Sequence, residues 1–338
     1  MRSTTTSLVV AGLGIALLAG CTAADADPAA SGAAEEQTIT VYTSEPQEKI
    51  DEIVSAFESA NPGISVEVFR AGTGDLTARI AAEQQSGDVQ ADVLLAADAA
   101  TFEGYAADDL LLELDVADVD ALDPAVVDPE SFYVGTRIIP TVIAYNTTMV
   151  DEPPTSWQAL TEAEYANRIV MPNPDVSGAA AYNAAVWLDE PQLGPAWLEA
   201  LAANEPVIAD SNGPVSQAVA NGTQPIGIVV DYLVRDLAAA GSPVAVSYPE
   251  EGVPFVSQPA GIFASTDAPE ASQAFVDFLV SAEGQELAVE QAYLPVRGDV
   301  GTPEGAPAME DITILAPELE TILATQDEAV SRFNALFQ

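Results

Sequence analysis

Residues 38–69 read TITVYTSEPQEKIDEIVSAFESANPGISVEVF and decide the class of fold. The first five residues predict a short buried strand, and the polar loop TSEP follows it. The next fourteen residues place Ile50, Ile53 and Phe57 at helical spacing, which predicts a helix with one apolar face. Asn-Pro-Gly then ends the helix, and the last six residues alternate apolar and polar side chains as a strand does. Strand, helix and strand therefore follow one another.

The same alternation continues along the chain. Residues 75–85 and 92–96 predict a further helix and strand, and more strands and helices alternate through 142–293 before a last helix at 316–337. This order is typical of α/β domains with a mainly parallel sheet. About 300 residues follow the first apolar segment, a length that favours two domains. We therefore predict an α/β fold with two lobes.

The start of the chain predicts an exported lipoprotein. Arg2 precedes an apolar run at 8–18, and the sequence Leu-Ala-Gly-Cys ends at Cys21. The run is shorter than the roughly 20 apolar residues of a membrane span, so we expect a cleaved signal peptide at 1–20. Residues 21–37 then supply a lipidated Cys21 and a flexible linker rich in Ala, Asp and Glu. The protein is thus expected at the outer face of the cytoplasmic membrane; the alternative is a signal cut elsewhere, with Cys21 buried.

Composition excludes several classes of function. The chain has nine Lys and Arg residues and 53 Asp and Glu residues. The resulting formal net charge of −44 repels nucleic acid and anionic lipid headgroups. The chain has no histidine, which removes Ser-His-Asp and Cys-His nucleophiles and His-ligated zinc. A single cysteine excludes a disulfide framework. We therefore expect neither an enzyme nor a cofactor. The remote alternative is a carboxylate-dependent hydrolase, for which Glu45 and Asp231 are the one pair we nominate.

Three loops with hydroxyls and glycines follow predicted strands and precede predicted helices. They are Thr43-Ser44, Gly72-Thr73-Gly74 and Ser177-Gly178-Ala179. Helix N-termini at the carboxyl ends of parallel strands present backbone N–H groups that bind anions, and hydroxyls add donors. Together the loops predict an anion site. They do not predict a dinucleotide site, because Thr77 stands where its third glycine would be.

Tyrosines offer a second chemistry, because phenolate oxygens suit ferric iron. Tyr42, Tyr145, Tyr182 and Tyr232 all lie at the ends of predicted strands or the starts of predicted helices. Asp231 follows a buried run and is expected at the mouth of a cleft. For a ferric cargo, the predicted ligands are Tyr182, Tyr232 and Asp231 with a bound anion. The alternative is that the tyrosines only pack in the protein, half-buried.

The chain resembles the extracellular solute-binding proteins of ABC importers, in the group that includes ferric-iron, phosphonate and sugar-phosphate binders. The resemblance covers nearly all of the chain after the linker. It rests on these segments taken together: 41–44, 61–64, 70–74, 91–93, 172–174, 177–179, 227–232, 248–252 and 274–285. It implies a type II periplasmic-binding-protein fold, whose two lobes are joined by crossover strands and close on ligand like a hinge. It also implies delivery of the ligand to a membrane permease, and we expect a monomer.

The resemblance does not identify the cargo, so the cargo is predicted from the residues of this chain. Typical ferric binders of this family carry an adjacent tyrosine pair near the position of Tyr232 and often a histidine near the first strand; this chain has one tyrosine there and no histidine. We therefore predict a small phosphorylated or phosphonate anion as cargo, with ferric iron as the alternative. A purely structural surface protein would show no closure on a ligand. The predicted binding residues are Thr43, Ser44, Thr73, Gly74, Ser177, Gly178, Ala179, Asp231 and Tyr232.

The domain boundaries follow from the same resemblance. Residues 38–142 are predicted as lobe 1 and 143–247 as lobe 2, and 248–338 are predicted to return into lobe 1 with C-terminal helices shared between the lobes. Three arginines, Arg137, Arg235 and Arg297, are expected in surface salt bridges. All three are left out of the predicted site.

Overall fold

The computed structural model describes residues 37–308, 311–315 and 317–338. The predicted signal peptide, Cys21 and nearly all of the predicted linker lie outside the described residues. None of the helices described is long and apolar enough to cross a membrane.

Strands and helices alternate along the described chain. The strands are β1 (Gln37–Thr43), β2 (Ile64–Arg70), β3 (Val93–Leu95), β4 (Val134–Gly135), β5 (Ile139–Asn146), β6 (Ile169–Pro172), β7 (Val207–Ala209), β8 (Ile226–Val230), β9 (Val244–Ser247), β10 (Val253–Val256), β11 (Pro259–Ile262) and β12 (Ile314–Leu315). The helices are α1 (Gln47–Ala60), α2 (Thr73–Ser86), α3 (Ala99–Ala107), α4 (Gly178–Asp189), α5 (Gly194–Ala203), α6 (Asn212–Ala220), α7 (Asp231–Ala239), α8 (Pro269–Val280), α9 (Ala282–Glu290) and α10 (Leu319–Phe337).

The first sheet has the strand order β2-β1-β3-β11-β4 and forms the centre of lobe 1. β1 runs parallel to β2 and β3, and Val41 lies opposite Val68 and Val93. The apolar face of α1 packs against α8, where the ring centroids of Phe57 and Phe275 lie 5.1 Å apart. The β-α-β stretch that opens the described chain therefore contributes to the core of this lobe, and its predicted strand–helix–strand order is confirmed.

The second sheet has the order β12-β10-β5-β8-β6-β7, with β9 paired to β5, and forms the centre of lobe 2. The tryptophans Trp157, Trp187 and Trp197 pack together beside it, with ring centroids 5.4 to 6.5 Å apart. The Trp157 indole N–H donates to the Gly252 carbonyl at 2.7 Å, and the Trp197 indole N–H donates to the Trp157 carbonyl at 2.9 Å. The indole N–H groups of Trp157 and Trp197 are thus satisfied inside an apolar core, whereas that of Trp187 has no partner among the described residues.

Two short crossover segments join the sheets, one between β4 and β5 and the other between β10 and β11, and the chain returns to the second sheet once more between β11 and β12. They run side by side, because the backbone N–H groups of Thr136 and Arg137 both donate to the Ser257 carbonyl, at 2.9 and 3.2 Å. The Thr136 hydroxyl also donates to the Gln258 carbonyl at 2.7 Å. The chain thus changes sheet at 136–138, a few residues before the predicted boundary at 142. This paired connection is the hinge of the two-lobed fold.

Replacing Trp157 by alanine is expected to lower the free energy of unfolding by about 3–5 kcal/mol, because it removes a fully buried indole from the tryptophan cluster. Met149 is 45% exposed, so Met149→Ala is the matched control and should change stability by no more than about 0.5 kcal/mol. Urea denaturation followed by circular dichroism measures both. Equal midpoints for the two variants would contradict this account of the lobe 2 core.

Candidate functional site

A cavity of about 650 Å³ lies between the lobes and is called the interlobe cavity here. Lobe 1 contributes residues around Ser44, Arg70 and Thr73, and lobe 2 contributes residues around Ser177 and Asn212. Gln258 of the second crossover segment also lines it. Its volume lies in the range of small-molecule sites in proteins.

Five helices begin at the interlobe cavity. Their N-cap residues all line it: Pro46 of α1, Gly72 of α2, Ser177 of α4, Ser211 of α6 and Val230 of α7. The Ser177 hydroxyl caps its own helix by accepting from the backbone N–H of Ala180. In the part of the chain described, no side chain caps the other four N-termini. Helix N-termini carry partial positive charge and orphan N–H groups, so each of these ends adds positive potential and hydrogen-bond donors to the cavity wall.

Asn212 holds three of these helix ends together. Its side-chain amide donates to the Ser177 hydroxyl at 2.9 Å, and its side-chain oxygen accepts from the backbone N–H of Val230 at 3.3 Å. The sequence reasoning missed α6 and therefore missed Asn212. The available signal was a serine N-cap with Pro214 in the first turn, a pattern typical of helix starts.

Arg70 is the one basic side chain lining the interlobe cavity in the described structure, and sequence reasoning missed it as well. Its Nε donates to the Glu45 carbonyl at 3.0 Å, which anchors an otherwise exposed guanidinium beside the cavity. Asp75 and Asp210 also line the cavity and are exposed. The signal for Arg70 was its place at the end of a predicted strand, two residues before Gly72.

A buried ion pair lies at the floor of the interlobe cavity. The Glu45 carboxylate is 3.1 Å from Nη1 of Arg137 and accepts from the Tyr293 hydroxyl at 2.6 Å. The side-chain amide of Gln258 donates to the other carboxylate oxygen. Burial, together with the Glu45 charge, raises the pKa of Tyr293 well above its usual value, so this phenol stays a donor. The predicted surface salt bridge of Arg137 is wrong, because the side chain is 2% exposed.

Asp231 does not reach the interlobe cavity. It is fully buried, and its carboxylate accepts from Arg235 at 2.6 Å and from the Tyr248 hydroxyl at 3.0 Å. Burial raises the pKa of Asp231, and the Arg235 charge opposes that shift. The expectation of Asp231 at the cleft mouth and of Arg235 on the surface is therefore wrong: the two residues pair inside lobe 2. Nor does Asp231 offer Glu45 a free carboxylate partner for hydrolysis.

The other predicted binding residues divide into two groups. Those that line the interlobe cavity are Ser44, Thr73, Ser177, Gly178, Ala179 and Tyr232. Thr43 instead lies buried beneath it, where its hydroxyl accepts from the backbone N–H of Glu45 at 3.0 Å. Gly74 faces a neighbouring cavity of about 490 Å³ that also includes Asp98. The loops predicted from hydroxyls and glycines thus converge, with these two exceptions.

The predicted ferric ligands are not assembled. Tyr232 lines the interlobe cavity, whereas Tyr182 lines a different one, and Asp231 is bound to Arg235. Tyr232 packs instead against Tyr293, with ring centroids 4.3 Å apart. Among the described residues, no group of three or more Asp, Glu, His or Cys side chains is arranged to hold a metal ion.

The lobes touch at the rim of the interlobe cavity, and glycines make the contact possible. A Cβ atom on Gly72 would lie 2.8 Å from the Val176 carbonyl, and one on Gly74 would overlap the Asp175 carbonyl. A Cβ on Gly178 would lie 2.9 Å from the Thr73 hydroxyl oxygen. Separations below 3 Å are essentially never seen for a real Cβ. The close approach of the two lobes at these positions therefore requires glycine.

Lys49, the only lysine of the chain, forms a second contact between the lobes. Its ammonium, on α1 of lobe 1, lies 2.9 Å from the Asp236 carboxylate on α7 of lobe 2. It also donates to the Gln291 carbonyl at 2.6 Å and lies over the Tyr232 ring, 5.3 Å from its centroid. The side chain is 12% exposed. The reactivity of the Lys49 amine therefore reports whether the two lobes are in contact here.

Comparison with known proteins agrees with this architecture. The family model of bacterial extracellular solute-binding proteins matches residues 52–313. Iron-bound HitA from Pseudomonas aeruginosa is similar in structure, at 23% identity over 89% of this chain and 100% of its own, with a TM-score of 0.79. AfuA from Actinobacillus pleuropneumoniae, solved with fructose-6-phosphate, is 19% identical over 90% of this chain and 99% of its own, with a TM-score of 0.81.

A periplasmic thiamin-binding protein is similar as well, at 18% identity over 89% of this chain and 96% of its own, with a TM-score of 0.76. No curated protein matches by sequence. At these identities the solved structures establish the shared fold and leave the bound solute open.

Replacing Gly74 by alanine is expected to hold the lobes apart, because the added methyl overlaps the Asp175 carbonyl. Gly74 and Gly213 are each the second residue of a helix, α2 and α6 respectively. Gly213 lines the interlobe cavity, but a methyl group added to it would have no other atom within 4 Å. Gly213→Ala is thus the matched control.

Small-angle scattering should give a larger radius of gyration for Gly74→Ala than for the control. Acylation of Lys49, followed by peptide mass spectrometry, should also be faster in that variant. Identical profiles and rates for the parent and both variants would show that this contact does not limit closure.

Proposed function

Because the chain belongs to the bacterial extracellular solute-binding proteins, we propose that its interlobe cavity captures a small phosphorylated or phosphonate anion and presents it to an ABC permease. A solute-binding protein of this type binds its ligand between two lobes and releases it to the transporter without changing it. The proposal therefore concerns capture and delivery, and no reaction on the solute is expected.

The observation that carries the choice of an anion is the convergence of five helix N-termini on one cavity. Each helix N-terminus has an electrostatic effect equivalent to about half a positive charge, and it offers backbone N–H donors. Such donors are fixed by the fold, so they need little reordering when the solute binds. A phosphoryl group has three oxygens that accept hydrogen bonds from different directions, and donors from several helices match that shape.

Side chains support the same choice. Ser44 and Thr73 from lobe 1 add hydroxyls to the interlobe cavity, and Arg70 adds a permanent positive charge. Gly178 and Ala179 carry no bulk at the start of α4, so a ligand can approach the backbone closely. Neither Arg70 nor the N-termini need histidine or metal, which fits the composition of this chain.

The negative charge of the chain does not oppose this proposal strongly. The chain carries a net charge of −44, but exposed charges are screened beyond about 8 Å at physiological salt. Asp75 and Asp210 line the interlobe cavity and are exposed to solvent. Carboxylates accept hydrogen bonds from hydroxyl and ammonium groups, so they suit the sugar or amine part of a phosphorylated solute.

The similar structures bind different solutes, so the fold alone does not choose between them. HitA was solved with iron and AfuA with fructose-6-phosphate. The separation of Tyr182 from Tyr232 speaks against a tyrosine-based iron site in this chain. The donors around Arg70 and Ser177 speak for a phosphate ester or phosphonate.

Arg70→Ala is expected to weaken binding of such an anion by about 10- to 100-fold, the effect of losing one hydrogen bond to a charged group. Binding is measured by thermal melts and calorimetry on residues 22–338, stripped of ligand, with phosphate, aminoethylphosphonate, sugar phosphates, ferric citrate and citrate alone. Arg168→Ala is the control, since Arg168 does not line the interlobe cavity. Stabilisation by ferric iron beyond the citrate control, with no response to phosphorylated compounds, would overturn the proposal in favour of iron.

We also propose that Cys21 anchors the mature protein to the membrane, on the strength of the apolar run at 8–18 and the Leu-Ala-Gly-Cys motif. Cys21→Ser is expected to leave the protein without lipid and move it from the membrane fraction to the soluble fraction. Metabolic labelling with an alkyne fatty acid measures the lipid directly, and Thr22→Ser is the control. Membrane retention with fatty-acid label in the Cys21→Ser chain would disprove the anchor.

A further inference from the structure

A second cavity of about 680 Å³ lies beside the crossover segments and is called the side cavity here. Lobe 1 contributes Tyr133 and the loop at 123–130, the crossover segments contribute Ile138 and Ser257, and lobe 2 contributes Tyr182. The first turn of α10 also lines it. The side cavity is as large as the interlobe cavity, and the proposed function makes no use of it.

The charged side chains that line the side cavity are all acidic. They are Glu103, Asp123, Asp128, Glu130, Glu318 and Glu320. Hydrogen bonds fix several of these carboxylates: Glu103 accepts from the Tyr133 hydroxyl at 2.6 Å, and Asp128 accepts from the backbone N–H of Phe132 at 2.7 Å. No lysine or arginine of the described chain lines the side cavity. The electrostatic potential inside it therefore favours a cation.

The side cavity is unsuited to a bare metal ion. Within the described residues, no three carboxylates converge as metal ligands. Its walls also include apolar and aromatic side chains, among them Val126, Ile138 and Phe255. Apolar walls with carboxylates at separate positions match an organic cation, whose charge is spread over an apolar body.

Tyr182 provides an independent sign of a ligand. The residue is only 9% exposed, lines the side cavity, and makes no hydrogen bond within the described residues. Burial and the nearby Asp98 charge raise its pKa to about 12, so the phenol remains protonated and neutral. A hydroxyl both donates and accepts hydrogen bonds, so a molecule bound in the side cavity can partner this one. The aromatic residues Tyr133, Tyr182 and Phe255 also line the side cavity, and aromatic rings attract cations.

We propose that the side cavity is a second binding site, separate from the solute site, and that it takes a small organic ammonium ion with an apolar body. Carboxylates such as Glu103 supply the charge complement, the aromatic rings supply cation–π contacts, and Tyr182 supplies a polar contact. The interlobe cavity has the opposite character, with helix N-termini and Arg70 facing an anion.

Benzyltrimethylammonium chloride is the probe, titrated by calorimetry into residues 22–338 with sodium chloride as the ionic control. Saturable binding is expected, and Glu103→Gln should weaken it about fivefold or more through loss of one charge. Tyr182→Phe removes only the hydroxyl and should also weaken binding measurably. Glu286→Gln removes an exposed charge outside both cavities and should leave the affinity unchanged.

Arg70→Ala separates this proposal from the solute site, because it should weaken anion binding by about 10- to 100-fold and leave probe binding unchanged. Absence of saturable binding at millimolar probe would overturn the side cavity as an ammonium site. Binding that Glu103→Gln and Tyr182→Phe leave intact would place the probe elsewhere and overturn it too. Thermal melts of each variant without probe show that the fold is retained.

Discussion

The buried carboxylate of Glu45 is the constraint on which the arrangement of this protein depends. It follows β1 of lobe 1, yet it pairs with Arg137 of one crossover segment and with Gln258 of the other. Tyr293 donates to the same carboxylate. Removing one partner of a buried ion pair costs about 3–5 kcal/mol, because the remaining charge stays uncompensated. The pair therefore fixes the start of lobe 1 against the hinge and sets the floor of the interlobe cavity.

From this floor follows the placement of the helix ends. α1 begins two residues after Glu45, and Asn212 ties the starts of α4 and α7 together across lobe 2. Backbone N–H donors of separate helices thus face the interlobe cavity. No single sequence motif could predict this convergence. The two lobes also approach closely beside the cavity, because Gly72, Gly74 and Gly178 have no side chains at the points where 72–74 and 175–178 meet.

The sequence predicted those features that local patterns encode. The β-α-β stretch, the two lobes and the convergence of Ser44, Thr73 and Ser177 follow from periodicity, turn residues and helix starts. The sequence did not predict the features that depend on tertiary contacts. Asp231 looked like a cleft residue because it follows a buried strand, but the Arg235 side chain one turn further along α7 binds it inside lobe 2. Burial of an arginine cannot be read from its neighbours in sequence.

The two cavities show why net charge is a weak guide to a binding site. A charge of −44 acts from the surface and is screened by salt, whereas a helix N-terminus acts at contact distance. The interlobe cavity can therefore favour an anion in a strongly acidic chain. In the side cavity the carboxylates have no basic neighbour among the described lining residues, so surface charge and local charge have the same sign. The two cavities are neighbours, since Val256 lines both of them. The proposed anion site and the proposed ammonium site therefore lie on either side of the crossover segments.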